Sequence, residues 1–165
     1  MNKYVRSFAE KNVKLFSGNI LEVGSRNVNG SLRDIIPVSV GVDTLPGKGV
    51  DYVVDAASLT TKFGKDFDAV ISTDMLEHVY HWQEALVGMW SVLKDNGYLF
   101  ITMAAETKTY HGYPNDYWRF TFDEFMSIFS GNIIVDKLDS KISIGALIKK
   151  TASLDITIEP KQICK

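Results

Sequence analysis

The chain reads as a doubly wound α/β domain on a mainly parallel sheet of seven strands with an antiparallel edge strand. Three observations predict this. Short apolar runs alternate with helical periods through five units over residues 19–103, the pattern of parallel strands covered on both faces. Most of these runs end at glycine or at a polar or acidic residue, as strands do where they open onto a ligand edge. The last two β-rich runs, 132–138 and 141–149, follow each other with no helix between them, so one runs antiparallel at the sheet edge.

Each element has a local cause. Tyr4, Val5, Phe8, Leu15 and Phe16 recur at roughly helical spacing, and Gly18 supplies a stop. Residues 19–23 are the first strand. Ser31 is placed to cap a short helix over 32–36, which Pro37 ends. Residues 38–42 and 51–54 form the next two strands, the latter terminating at Asp55. A short helix follows near 59–63, then a fourth strand over 67–72 and a helical turn over 75–79. Trp82, Ala85, Leu86, Met89, Trp90 and Leu93 give a helix one wide apolar face. Asp95, Asn96 and Gly97 turn the chain into a fifth strand over 98–103.

The period then fails. Residues 104–120 carry no regular pattern and crowd together Tyr110, His111, Tyr113, Pro114, Asp116, Tyr117, Trp118 and Arg119, as a lid or binding loop does. Thr121 and Glu124 have capping-box spacing, starting a helix that Gly131 ends. The expected organisation is one domain over 1–150, with a lid at 104–120 and a loose tail at 151–165.

At 165 residues, 45% apolar and 23% charged, the chain has the size and composition of a single soluble domain. A net charge of −2 excludes the basic footprint of a duplex nucleic-acid binder. No apolar run approaches the ~20 residues that span a bilayer. The sole cysteine, Cys164, cannot form an internal disulfide, which agrees with a reducing, cytoplasmic location. The chain is expected to act as a monomer or homodimer.

The chemistry concentrates at strand ends. Gly24 closes the first strand and lies 19 residues before Asp43, which closes the second. That matches the gap of about 20 between a glycine turn and a ribose-binding acid. Small residues admit close backbone approach, and a strand-end carboxylate accepts from both ribose hydroxyls. Arg26 stands where a dinucleotide fingerprint has a second glycine, so a nucleoside without bridging phosphates suits the turn better. Asp55 and Ser72 to Asp74 belong to the same rim. In the lid, His111 is the first choice for a general base, since its ordinary pKa lies near neutrality. Asp116 and Tyr117 come next, Arg119 suits an anionic group, and Tyr110, Tyr113 and Trp118 suit acceptor contacts. Glu77, His78 and His81 offer two His at helical spacing without an evident third ligand, so no metal is expected.

These residues resemble a family. Leu21-Glu22-Val23-Gly24, Gly41-Val42-Asp43, Val54-Asp55-Ala56, the 67–72 strand followed by Leu76-Glu77-His78-Val79, and the 93–99 leader into the fifth strand are similar to the successive signatures of class I S-adenosylmethionine-dependent methyltransferases. The similarity covers about residues 19–150. It implies a Rossmann-like fold with S-adenosylmethionine as cofactor. Glu22 would orient the loop or the cofactor's ammonium group, and Gly24, with Ser25 and Arg26, would face its amino-acid end. Asp43 would take the ribose hydroxyls, Asp55 and the Ala56 N–H the adenine, and Ser72, Thr73 and Asp74 the methionine. Arg26 and Val28 depart from the small residues usual in the family. The run His111 to Thr121 also resembles one in small bacterial and phage members, often found among carbohydrate-processing genes. The expected reaction is methyl transfer to a hydroxyl or amine of a small molecule or saccharide. The alternatives are other chemistry on the same cofactor, a catalytically degenerate binding module, and, more remotely, a dinucleotide enzyme.

Overall fold

The computed structural model describes residues 2–36, 39–112 and 115–164. Helix α1 (Lys3–Asn12) starts where the Asn2 side chain accepts from the Tyr4 and Val5 N–H groups, and it buries Val5, Phe8 and Ala9. A 3-10 turn (Val13–Leu15) leads to β1 (Ile20–Val23). Strands β2 (Ser39–Asp43) and β3 (Tyr52–Val53) follow, then a 3-10 turn (Ala56–Ser58) and α2 (Leu59–Lys62). After β4 (Phe67–Thr73) come a 3-10 turn (Leu76–His78), α3 (Trp82–Val92) and β5 (Leu93–Ala104). The chain ends with β6 (Trp118–Arg119), α4 (Phe122–Ser127), β7 (Ile133–Asp139), β8 (Ser143–Lys149) and β9 (Lys161–Gln162).

Seven strands form one sheet in the order β3-β2-β1-β4-β5-β8-β7. Strand β1 pairs in parallel with both β2 and β4, so the order reverses there and a crevice opens beyond the carboxyl ends. Alternation along the strands builds a core on each face. Leu99 and Ile101 join the α3 and α4 side, while Ala69, Ile71 and Phe100 meet α1, where Phe8 stacks on Phe100 at 4.8 Å.

Four details differ from expectation. The antiparallel strand is β8, one place in from the edge, between β5 and β7. Burial explains it: six of the seven β8 residues are buried and need cover on both faces. Strand β7 alternates half-buried with exposed positions and carries the charges that suit an edge. The short helix over 32–36 is a single turn, with Ile35 and Ile36 N–H both donating to the Leu32 carbonyl and Ser31 Oγ accepting from Arg33 N–H. So short a segment offers too few hydrogen bonds to offset helix nucleation. Pro37 and Val38 lie outside the described residues. The turn at 95–97 is a bulge within β5, where Asn96 takes a φ of 62°.

The fourth concerns the tail. Asp155 N–H donates to the Ile128 carbonyl, and Leu154 and Ile158 pack on the core. Strand β9 pairs antiparallel with β6, and Ile163 N–H donates to the Tyr117 carbonyl at 2.7 Å. What reads as a loose end is a strap over the lid, because Ala152, Leu154, Ile156, Ile158 and Pro160 alternate with exposed residues and find a surface.

Candidate active site

The rim at the carboxyl ends of β1 to β4 is set by backbone. Gly24 leaves β1 at a φ of 78°, and its N–H and that of Ser25 both donate to the Val42 carbonyl. A side chain at Gly24 would run into Met75, so the bend requires glycine on both counts. Asp43 sits beside it, accepting from Arg26 N–H at 3.2 Å and from Leu45 N–H at 3.0 Å. A carboxylate has about four lone-pair positions, so two remain for a diol. Asp55 accepts from Ala57 N–H at 2.8 Å and caps its 3-10 turn, while its side chain stays exposed. Gly88 of α3 lets that helix press against Ala56, fixing the segment's height.

Register aligns Val23 with Val42 and with Ser72, so the predicted rim residues come together along one edge. Ser25 and Ser72 are buried, and their hydroxyls have no partner among the described residues. Arg26 Nε is also buried without a partner, its stem lying against Gly47. Orphaned buried donors are rare in folded proteins and mark a place where a polar ligand completes the set. Together with a bend open at Gly24 and the acids Asp43 and Asp55, this set fits S-adenosylmethionine. Glu22 lies two residues below the bend. Burial raises its pKa above the ordinary glutamate range, against the Arg33 guanidinium 3.4 Å away. Asp74, at a φ of 47°, accepts from Thr102 Oγ1 and from the Asn2 amide. Burial and then the neighbouring Glu77 carboxylate raise its pKa, with Lys108 of the lid opposing.

The lid is organised by a salt bridge rather than by a ladder. Asp116 is fully buried and Arg119 is 1% exposed. Both guanidinium nitrogens of Arg119 reach the two Asp116 oxygens at 2.5 Å. The remaining Arg119 N–H groups donate to the Lys108, Thr109 and Trp118 carbonyls. All five donors are thereby used, which corrects the expectation that Arg119 holds an anion of the acceptor. Asp116 is likewise not a free base. Burial pushes its carboxyl upward, but Arg119 and the His111 N–H outweigh that and hold it below the ordinary carboxylate range. Trp118 donates its indole N–H to the Val79 and Tyr80 carbonyls, and Tyr117 Oη accepts from Asn115. These side chains pin the lid. Tyr110 is 56% exposed, and Tyr113 lies outside the described residues.

His111 is the lid residue that faces inward. Its Nδ1 lies 2.8 Å from Asp116 Oδ2 and 3.2 Å from Arg119 Nη2. Nδ1 thus sits between a carboxylate oxygen and a guanidinium nitrogen, its hydrogen bond made with Arg119 and its contact to Asp116 an ion-pair distance. Its Nε2 is buried without a hydrogen-bond partner among the described residues, 3.7 Å from Glu77 Oε1. Glu77 is fully buried just beyond β4; Oε1 accepts from Ala104 N–H, while Oε2 has no partner among the described residues. His78 completes the corner, its ring 5.0 Å from that of His111 and its Nδ1 at 2.6 Å from the Asn115 carbonyl.

The methyltransferase-domain family matches residues 1–134. The chain belongs to that family. With the doubly wound sheet, membership makes it a class I, S-adenosylmethionine-dependent methyltransferase. No curated protein sequence matches it. Among solved structures it is similar to 1,6-didemethyltoxoflavin-N1-methyltransferase of Burkholderia thailandensis, which holds 1,6-didemethyltoxoflavin and S-adenosylhomocysteine. That likeness has 12% identity and a TM-score of 0.71 over 91% of this chain and 79% of that one. It is also similar to a SAM-dependent methyltransferase of Aquifex aeolicus, at 13% identity and a TM-score of 0.65 over 90% of each chain. A third is the N-methyltransferase NodS of Bradyrhizobium japonicum, at 12% identity and a TM-score of 0.61 over 91% of this chain and 95% of that one. At such identities the likeness is one of fold. No helix among the described residues is long and apolar enough to cross a membrane.

Sequence reasoning in this methyltransferase missed Arg33 beneath Glu22, Asn2 and Thr102 on Asp74, and the depth of Glu77. Only Glu77 left a signal: an acid set in the apolar run Met75-Leu76 after a buried strand.

Proposed function

We propose that this methyltransferase moves a methyl group to a hydroxyl or amine of a small molecule or saccharide. One observation carries the reading: a buried corner of polar atoms without partners among the described residues, Glu77 Oε2 and His111 Nε2, lies just beyond β4 beside the rim that suits the cofactor. S-adenosylmethionine, when bound, supplies an electrophilic methyl group whose carbon–sulfur bond breaks with the electron pair staying on sulfur. As the new carbon–oxygen or carbon–nitrogen bond forms, the acceptor gives up a proton, which the Glu77–His111 corner would take up or pass to water. Glu77 and His111 orient the nucleophile, and the lid excludes water, which together contribute several kcal/mol of barrier reduction by positioning. Tyr110, 56% exposed in the lid, is free to contact the acceptor. Two of the similar solved proteins are named as N-methyltransferases, one with a small heterocycle bound, which supports a small acceptor.

The test is incubation of the chain with S-adenosylmethionine and a panel of sugars and small amines or alcohols. The expected product is S-adenosylhomocysteine formed one for one with methylated acceptor. Cleavage of S-adenosylmethionine without S-adenosylhomocysteine would replace the reading with other chemistry on that cofactor. His111→Ala is expected to lower turnover far more than cofactor affinity; unchanged turnover would remove His111 from the mechanism.

A further inference from the structure

We infer that Glu77, His78 and His111 form a binding site for one divalent first-row transition-metal ion. The inference deepens the reading above and rests on it only for what the ion does, not for whether it binds. One ligand atom from each of the three residues lies within 4.8 Å of those of the other two. The donor set, two imidazoles and one carboxylate, suits zinc, iron, cobalt or nickel rather than magnesium or calcium, which take oxygen shells. No metal is expected from sequence because the third ligand is 33 residues beyond His78 and arrives only when the lid folds.

Two independent features point to a cation. The first is polarity. Glu77 is fully buried, and its Oε2 and the Nε2 of His111 are both buried without a hydrogen-bond partner among the described residues. Nε2 lies 3.7 Å from the other carboxylate oxygen, Oε1, too far for a direct hydrogen bond, so a cation placed between the two side chains would meet both orphaned atoms. The second is orientation. Nδ1 of His111 is held from behind between Asp116 Oδ2 at 2.8 Å and Arg119 Nη2 at 3.2 Å, and Nδ1 of His78 by the Asn115 carbonyl. Metal-bound histidines are held in this way, the rear hydrogen bond fixing the tautomer and freeing Nε2. Asp116 is itself gripped by Arg119, so the support reaches two residues deep. Metal–nitrogen and metal–oxygen bonds are about 2.0–2.2 Å, so the cluster would contract by roughly an ångström on binding. Three protein ligands leave coordination positions for the acceptor's heteroatom, which the ion would polarise in place of a direct hydrogen bond to Nε2.

The experiment uses the full chain carrying Cys164→Ser, which removes the one thiol, stripped with a chelator and titrated with Zn2+ by calorimetry. Binding of one equivalent at micromolar affinity or tighter is expected. His78→Ala and His111→Ala should each weaken it by more than about 100-fold. His81→Ala, 68% exposed on its side chain and outside the cluster, should leave it intact. Co2+ gives a second readout: the parent should show visible ligand-field bands that both histidine variants lack. His78→Ala leaves the Asp116–Arg119 bridge untouched, so it remains informative if His111→Ala fails to fold. Absence of stoichiometric binding, binding that survives both substitutions, or binding lost equally in His81→Ala would overturn the site. Titration of S-adenosylmethionine into the same samples separates the two readings. Protein that takes the metal but not the cofactor sinks the methyltransferase proposal and leaves this one standing.

Discussion

The rim and the lid are built from opposite materials. Along the rim, each functional residue sits at the carboxyl end of a parallel strand or within two residues of it, and its place follows from backbone pairing between neighbours in the sheet. In the lid, β6 has only two residues, and the path is fixed by one buried guanidinium and a strap from the far end of the chain. A rim of this kind tolerates loss of a side chain. A lid held by one ion pair does not, because removing either partner strands a buried charge.

Arg119→Ala is the sharpest way to expose this difference. It leaves Asp116 without its counter-charge in a fully buried position, for which the expected loss is about 3–5 kcal/mol, or roughly 10 °C in Tm. Hydrogen exchange should rise across residues 105–120 and 160–163, since β9 loses its partner with the lid. Affinity for S-adenosylmethionine should fall much less, because the rim does not depend on Arg119. Equal loss in both regions would show them to be one cooperative unit.

Gly24→Ala attacks the rim at its one unforgiving point. The backbone there is at a φ of 78°, and the added carbon would meet Met75 Cγ at 2.7 Å. An alanine in that conformation costs about 1–2 kcal/mol before any clash. The expected result is a Tm drop of several degrees together with a marked loss of cofactor affinity by calorimetry. Unchanged affinity would place the cofactor elsewhere.

How much of each region can be read in the sequence follows from the same contrast. Gly24, Asp43, Asp55 and Ser72 lie near each other because strand ends must align in a parallel sheet, so alternation and turn residues sufficed to group them. The capping box at Thr121 and Glu124 is likewise local, and both of its hydrogen bonds form. The order of β7 and β8 was less legible, although the unbroken apolar run Ile144 to Ile148 carries the signal for an inner strand. The Asp116–Arg119 bridge is close in sequence, but nothing local says it is buried rather than exposed. That depends on β9, 42 residues beyond Arg119, and on Glu77, which lie together only after folding. Long-range closure leaves no period in the chain.

Asp43→Asn refines the rim further. The amide retains an oxygen for one of the two backbone donors, Arg26 or Leu45, so stability should change by about 1 kcal/mol or less. Charge-assisted bonds to ribose hydroxyls are worth about 1.5–3 kcal/mol, so affinity for S-adenosylmethionine should fall tenfold or more. Titration with NAD in parallel should show no binding by either protein. An Asp43→Asn variant with parental affinity would remove the acid from the ribose.

The smallest effect separates the rim's support from its contacts. Burial lifts the pKa of Glu22 above 4.5, the ordinary glutamate value, and the Arg33 guanidinium only partly offsets this. A carboxyl with a raised folded-state pKa contributes stability that is fully present below its unfolded value and is lost as pH rises through the folded one. Glu22→Gln has no charge to bury and shows no such loss, while Arg33 keeps Asp51 at 2.6 Å as a partner. Other carboxylates pull the other way: Asp51 is held below its ordinary value by the Arg33 hydrogen bond, and Asp68 by that of Lys94. The informative quantity is therefore the difference between variant and parent at each pH, in which those groups cancel. Tm of Glu22→Gln minus Tm of the parent should increase from pH 4.5 to pH 7.5 by on the order of 2 °C. A flat difference would mean that Arg33 pairs with Glu22 strongly enough to offset its burial. The acid would then act as a strut for the β1 bend, alongside Arg33, in the way Asp116 acts with Arg119 in the lid.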